Sequence, residues 1–258
     1  MSPDETVYLM YHELELPNRP LCQAEPGYVR YIVSAVAFRE QMLLLKTAGR
    51  TGINVGEALA RPRPEAVAVT FDDGCETDLI AAVPVLAEFG FSATFYITVG
   101  FLDKPGFLTR SQVRQLNDLG YEIGSHSWTH AYLSDLPDPE LEYEISDSRR
   151  ELEQMIGRPV SHFSCPGGRW NQRVAGSVQQ AGYRSMTISR VSANTAQTNP
   201  FELGRVAMMR GTPIARFREL SEGRGLLKIR LTDSARGAVK RVLGNSLYDR
   251  VRSAALKL

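Results

Sequence analysis

The chain has 258 residues, 43% hydrophobic and 23% charged, which suits one large α/β domain or two small ones and excludes a disordered chain. Thirty Lys and Arg against 29 Asp and Glu leave a net charge of +1, so the overall charge does not mark a nucleic-acid or polyanion binder. Cys22, Cys75 and Cys165 are odd in number and lack metal-site spacing, which points to neither a disulfide framework nor a cysteine zinc site.

The opening, MSPDETVYLMYHELELP, has no basic stretch followed by an uninterrupted apolar run, and no later run reaches the roughly eighteen apolar residues of a membrane span. A cytoplasmic protein is the expectation. Short β-branched or aromatic runs then alternate with stretches of helical period, the pattern of repeated β-α units around a parallel sheet or barrel. Strands are expected at Val7 to Tyr11, Ala66 to Phe71, Ala93 to Val99, Tyr121 to Ser125, His162 to Ser164, Ser185 to Ile188 and Arg205 to Met208. Phe38 to Ala48 reads as a helix stopped by Gly49, and Asp78 to Phe89 as one stopped by Gly90 and kinked at Pro84. Thr109 and Gln112 form a capping box for a helix ending at Gly120. Asp138 as N-cap and Pro139 as the first helical residue open a long helix with Leu141, Ile145, Leu152 and Ile156 on one face. Asn171 caps a last one, running to Ala181.

The Pro-rich loop from Pro17 to Gly27 lies too near the start to separate domains, so residues 1–212 are expected to form one domain. From Pro213 onward, eleven basic residues face four acidic ones, a surplus of +7, and everything before carries −6. Val239, Leu243, Leu247, Val251 and Leu258 fall within about 120° of arc at helical period. Residues 213–258 therefore read as a basic amphipathic helical extension, compatible with contact with an anionic membrane surface or with packing on the main domain.

Two segments carry chemistry. AVAVTFDDGCETD is a strand that runs into Asp72, Asp73 and Gly74, placing two carboxylates at one mouth of a sheet, where a cation can hold them and separate their pKa values. An acidic turn uses the same vocabulary. YEIGSHSWTH is a strand ending in His126 and His130, four apart and so on one face of a helical turn, within reach of one metal ion. With Asp73 they make two imidazoles and one carboxylate, a three-ligand set that leaves positions for water and substrate. It suits zinc and also accepts cobalt, nickel or manganese.

Thr70-Phe71-Asp72-Asp73-Gly74 followed by His126-Ser-Trp-Thr-His130 resembles the first two signature motifs of the polysaccharide deacetylases of carbohydrate esterase family 4. ATFYITVGFL, LTRSQVRQLNDLGYEIGSH, FSCPGGRWN and AGYRS are similar in order and spacing, so the likeness runs from about Val7 to Met209. It implies a distorted (β/α)7-type barrel, with Asp72 as catalytic base and Asp73, His126 and His130 as ligands of a divalent metal. The implied substrate is an N-acetylated glycan carrying a 2-acetamido sugar.

The third motif of that family appears as Ser164-Cys165-Pro166-Gly167-Gly168. Ser164 stands where an arginine often orients the base, which makes Arg169 a candidate substitute, and Gly167 replaces an aromatic wall. The Gly167 backbone N–H remains a candidate oxyanion donor. Pro166, Gly167, Gly168, Arg169 and Trp170 are the candidate substrate-binding residues, with Trp170 and Trp128 serving as sugar-stacking walls or as core.

The family's last motif, Leu-x-x-His, which carries the general acid, has no match near the C-terminus, and its fourth, an Asp-rich segment, has none in Ser189 to Thr198. Leu9-Met10-Tyr11-His12 has the Leu-x-x-His pattern at the other end of the chain. First and last strands of a nearly closed barrel are neighbours, so His12 can supply the acid from there. That arrangement resembles the circularly permuted poly-N-acetylglucosamine deacetylases of exopolysaccharide systems. His162 begins a strand and reads as structural.

Two rival functions stay open. One is a catalytically weak, metal-containing carbohydrate-binding protein. The other is an amidohydrolase acting on a non-sugar C–N bond such as a cyclic imide or formamide.

Overall fold

The computed structural model describes residues 5–230. Its strands are β1 (Val7–Tyr11), β2 (Leu14–Glu15), β3 (Val33–Ser34), β4 (Thr51–Ile53), β5 (Ala66–Phe71), β6 (Thr94–Ile97), β7 (Glu122–Ser125), β8 (His162–Ser164), β9 (Ser185–Ile188), β10 (Leu203–Gly204) and β11 (Val206–Ala207). All but β2 and β3 join one parallel sheet in the order β10-β9-β8-β7-β6-β5-β1-β11, with β4 beside the first half of β5. The two ends of that order, β10 and β11, are separated in the chain by the single residue Arg205. The sheet thus curls almost into a closed barrel with Arg205 at its seam, and helices surround it, the architecture of a distorted (β/α)7 barrel.

Parallel strands covered on both faces read as unbroken apolar runs, and β1 and β5 are buried at every position. Their period-2 alternation sorts side chains into two sets. Val7, Leu9, Tyr11, Val67, Val69 and Phe71 face the helix layer, where they join Phe38, Met42 and Leu45 of the helix Ala35–Thr47. Tyr8, Ala66, Ala68 and Tyr96 form a separate cluster on the inner face. The parity of Ala66 and Ala68 continues through Thr70 to Asp72, and that of Tyr8 through Met10 to His12. Since Met10 pairs with Thr70 and Tyr11 with Phe71, His12 and Asp72 leave adjacent strands at the same level.

The segment expected as one helix with a kink at Pro84 winds as a π-type turn, Asp78–Ala82, and then as the α-helix Val83–Phe89, ended by left-handed Gly90. Widening the turn ahead of the proline accommodates its ring and missing N–H. The helix expected from Asp138 is capped one residue earlier, at Pro137, and a second π-type turn, Tyr143–Asp147, divides it.

The capping box on Arg110–Asp118 forms as expected. The Gln112 N–H donates to Thr109 Oγ1 at 3.2 Å and the Thr109 N–H to Gln112 Oε1 at 2.7 Å. Thr109→Ala removes one side of that reciprocal pair and is expected to lower stability by about 1 kcal/mol, read as a shifted urea midpoint at unchanged slope.

Of the proposed extension from residue 213, the helix Ile214–Ser221 packs on the barrel through Phe217 and Leu220. The amphipathic pattern from Val239 to Leu258 lies outside the described residues. No helix among the described residues is long and apolar enough to cross a membrane.

Candidate active site

β5 delivers Asp72 inward, and the turn after it bends sharply, with Asp73 at φ 80° and Gly74 at φ 79°. A left-handed aspartate is uncommon, and Ser127 (φ 66°) and His130 (φ 67°) are in the same region, so strained non-glycine backbone gathers at this mouth.

Arg205, 2% exposed, reaches Asp72 from the seam in a two-pronged pair: Nη1 donates to Oδ1 and Nη2 to Oδ2, each at 2.7 Å. The same guanidinium donates to Ser164 Oγ at 2.7 Å and Thr70 Oγ1 at 3.2 Å, and Ser164 Oγ donates to Asp72 Oδ2 at 3.2 Å. Burial pushes the Asp72 carboxyl up, but the Arg205 guanidinium outweighs it and holds the group well below the usual carboxylate range. Asp72 is therefore ionised and fixed in orientation, as a general base requires.

Arg169, the candidate substitute from the third motif, does not perform this pairing. That side chain instead stacks over the Tyr132 ring, 3.7 Å from its centroid, and reaches Asp135 at 3.4 Å. Arg205 was legible only as the first residue of an expected strand. The available signal was a charged side chain opening an otherwise apolar run.

Asp73 Oδ1 lies 3.5 Å from His126 Nε2 and 3.5 Å from His130 Nε2. The three donor atoms sit within 4.8 Å of one another, close enough for one cation. Asp73 Oδ1 is buried and has no hydrogen-bond partner among the described residues, an orphan atom that a metal would satisfy. His126 Nδ1 is 2.8 Å from the Ser164 carbonyl, an acceptor, so its proton sits there and Nε2 is left free to coordinate. Burial pushes His126 down to about 4, which keeps the imidazole neutral, the ligating form. The donor set, with its neutral His126, fits a divalent metal.

The two histidines come together without the helical turn expected of their spacing. A bend replaces it, with left-handed residues at Ser127 and His130. Buried Glu144 fixes that bend. Its Oε2 accepts from the backbone N–H groups of Trp128 (2.9 Å) and Thr129 (2.8 Å), and its Oε1 from the Thr129 hydroxyl. Glu144 sits in the π-type turn Tyr143–Asp147, a device frequent at functional sites, and sequence reading passed it over as part of a helix.

His12 directly follows β1 with the parity of its inner face, and its ring centroid lies 5.2 Å from that of Tyr31. Burial pushes its pKa down while Asp73 and Asp72 pull against it, so it shares the electrostatic field of the acidic pair. Its Nδ1 has no hydrogen-bond partner among the described residues.

Around the rim, Pro166–Gly168 forms a tight turn with Gly167 at φ 57°. A Cβ on Gly167 would come within 2.7 Å of the Tyr132 ring, so Tyr132 occupies the space that an aromatic at position 167 would need. Gly168 has no room either, since a Cβ there would meet Ser189 Oγ at 1.7 Å. Trp170 and Trp128 are half-buried and pack against the main core. His162 begins β8 at the opposite strand end, held by Ser185 Oγ at 2.8 Å and Glu122 at 3.4 Å.

A family profile described as polysaccharide deacetylase matches residues 60–186. The peptidoglycan-N-acetylglucosamine deacetylase of Bacillus cereus is 32% identical over 151 residues, covering 57% of this chain and 67% of that protein. The chitooligosaccharide deacetylase of Azorhizobium caulinodans is 33% identical over 126 residues, 48% of this chain and 58% of that protein. The chain thus spans between about half and two thirds of the length of such relatives. Among solved structures, IcaB from Ammonifex degensii superposes with a TM-score of 0.72 at 22% identity, covering 85% of this chain and 97% of that one. The Streptococcus pyogenes deacetylase PplD gives a TM-score of 0.74 at 20% identity, covering 85% and 99%. His12 and Arg205 both lie outside the segment that the family profile matches.

Proposed function

The chain belongs to the polysaccharide deacetylase family, and from that premise we propose that it hydrolyses the acetamide of a 2-acetamido sugar in a polysaccharide, lipid-linked glycan or glycolipid precursor. The observation that carries this reading is the ionised, doubly held Asp72 beside Asp73, His126 and His130 at one barrel mouth. A divalent cation held by Asp73, His126 and His130, zinc or else cobalt, nickel or manganese, would supply Lewis-acid polarisation of the acetyl carbonyl and of a water.

Asp72 takes the proton of the attacking water, and Arg205 and Ser164 keep its carboxylate aimed. The Gly167 N–H stabilises the developing oxyanion, because a main-chain donor needs no side chain. His12 returns a proton to the departing amine from β1. Support for that assignment is that β1 lies between β5 and β11, which puts a histidine from the start of the chain where a last strand would otherwise deliver one. This is also the ground for placing the chain with the circularly permuted poly-N-acetylglucosamine deacetylases. Pro166, Gly168, Arg169 and Trp170 line the sugar side, with Tyr132 as the aromatic wall. A cytoplasmic location and contact of the basic segment after residue 213 with an anionic membrane face rest on sequence pattern alone.

The test is release of acetate and free amine from a panel of N-acetylated sugars and small amides, with and without chelator. Acetate release from acetamido sugars that stops on chelation and returns with zinc is the expected result. Turnover of cyclic imides or formamides alone, or sugar binding without turnover, would replace the proposal with one of its rivals.

A further inference from the structure

Beside the barrel mouth lies a second set of metal-competent side chains, drawn from three separate stretches of sequence. Glu13 follows β1, Cys22 lies in the Pro-rich loop, and Cys75 follows Gly74 of the catalytic turn. The Glu13 carboxylate and the two sulfurs all lie within 4.8 Å of one another. Glu13 is 1% exposed and Cys75 fully buried.

The surrounding chain is shaped to hold this cluster. Both Glu13 oxygens accept from the Cys22 N–H, at 3.0 and 3.1 Å. The Tyr28 hydroxyl is 3.3 Å from Cys75 Sγ, and Cys22 Sγ is 3.0 Å from the Gly106 carbonyl. A Cβ at Gly106 would meet Cys22 Sγ at 2.8 Å, so only glycine leaves room for the sulfur. A second, independent sign is Asp78. It is fully buried, its N–H donates to the Cys75 carbonyl at 3.0 Å, and neither carboxylate oxygen has a hydrogen-bond partner among the described residues. Buried carboxylates without partners are rare because desolvation is costly, and a nearby cation is one group that offsets that cost.

We propose that Glu13, Cys22 and Cys75, with Asp78 adjoining, form a second metal site that takes a thiophilic divalent cation such as zinc. Two sulfurs and a carboxylate are a donor set suited to tetrahedral zinc, whereas the imidazole and carboxylate set across the turn contains no sulfur. Binding expels the two thiol protons to solvent and leaves both thiolates on the metal. The bound ion ties the Pro-rich loop to the turn that carries Asp72 and Asp73, so this site braces the catalytic one without joining the reaction.

Cobalt(II) substitution separates the two sites, because only a thiolate ligand gives an intense near-ultraviolet sulfur-to-cobalt charge-transfer band. The reduced full chain, stripped and reloaded with cobalt, is expected to hold about two equivalents and to show that band. Cys22→Ser is expected to lose the band and one equivalent, and Glu13→Gln to weaken it. His126→Ala is expected to lose one equivalent and keep the band, so failure of the deacetylase reading and failure of this one are distinguishable. The half-buried position of Cys22 makes its serine variant the safer one to fold, and the wild-type spectrum alone tests the proposal should every variant fail. Absence of the band in the reduced wild-type chain overturns it. So does a Cys22–Cys75 disulfide that forms in preference to metal uptake, which would make the pair a redox couple.

Discussion

Arg205→Met is expected to destabilise the protein by about 3–5 kcal/mol, the usual consequence of stripping a buried charge of its partner. Asp72 is 2% exposed and receives both prongs of the guanidinium, so methionine leaves an anion in the barrel with Ser164 as its one remaining side-chain donor among the described residues. Without the guanidinium, burial pushes the Asp72 carboxyl upward, and the base is weakened along with the stability. Arg205→Lys is expected to recover part of the stability but little of the rate, because an ammonium cannot hold Asp72, Thr70 and Ser164 in one plane. The decisive measurement is a double-mutant cycle. Asp72→Asn with Arg205→Met removes both charges and is expected to cost clearly less than the sum of the single changes. Strict additivity would mean that Arg205 acts as packing and not as the partner of Asp72.

That pair marks the boundary of what the chain reveals in one dimension. β1, β5, β8 and β9 have the bounds read from the sequence, and every position of all four is buried, as expected of strands covered on both faces. β4, with three residues and a glycine, and β10, with two, are too short to carry a period and were passed over. Asp72, Asp73, His126 and His130 announce themselves because each pair is local to one turn. Arg205 does not, since its partner lies 133 positions away and the two meet only once the sheet curls to bring β10 and β11 together. The Glu13, Cys22 and Cys75 cluster is hidden for the same reason, and the absence of motif spacing among the cysteines was misleading as a guide to their proximity. Local hydrogen-bonding signals fared better, as with the box at Thr109 and the cap at Asn171. The left-handed bend that unites the histidines depends on Glu144 from another segment, and spacing alone suggested a helical turn in its place.

Asp72→Asn is expected to lower kcat for acetate release by roughly 10²–10⁴-fold, the range for losing a positioned general base. The substitution is close in volume but not electrically neutral. It leaves Arg205 buried without its anion, and the new amide can turn only one acceptor toward two guanidinium donors. A fall in stability therefore accompanies the loss of rate, and the rate has to be taken per folded molecule at a temperature well below the variant's own Tm. Two controls separate chemistry from damage. Metal content at the histidine site should stay at the wild-type level, because Asp73, His126 and His130 supply the proposed ligands. KM should change far less than kcat, because a base acting on water contributes to the transition state and little to sugar binding. A variant that stays folded, keeps its metal and still releases acetate at the wild-type rate would remove Asp72 from the reaction. The proton would then have to pass to another group at the mouth, of which His12, its Nδ1 unpaired among the described residues, is the nearest in kind.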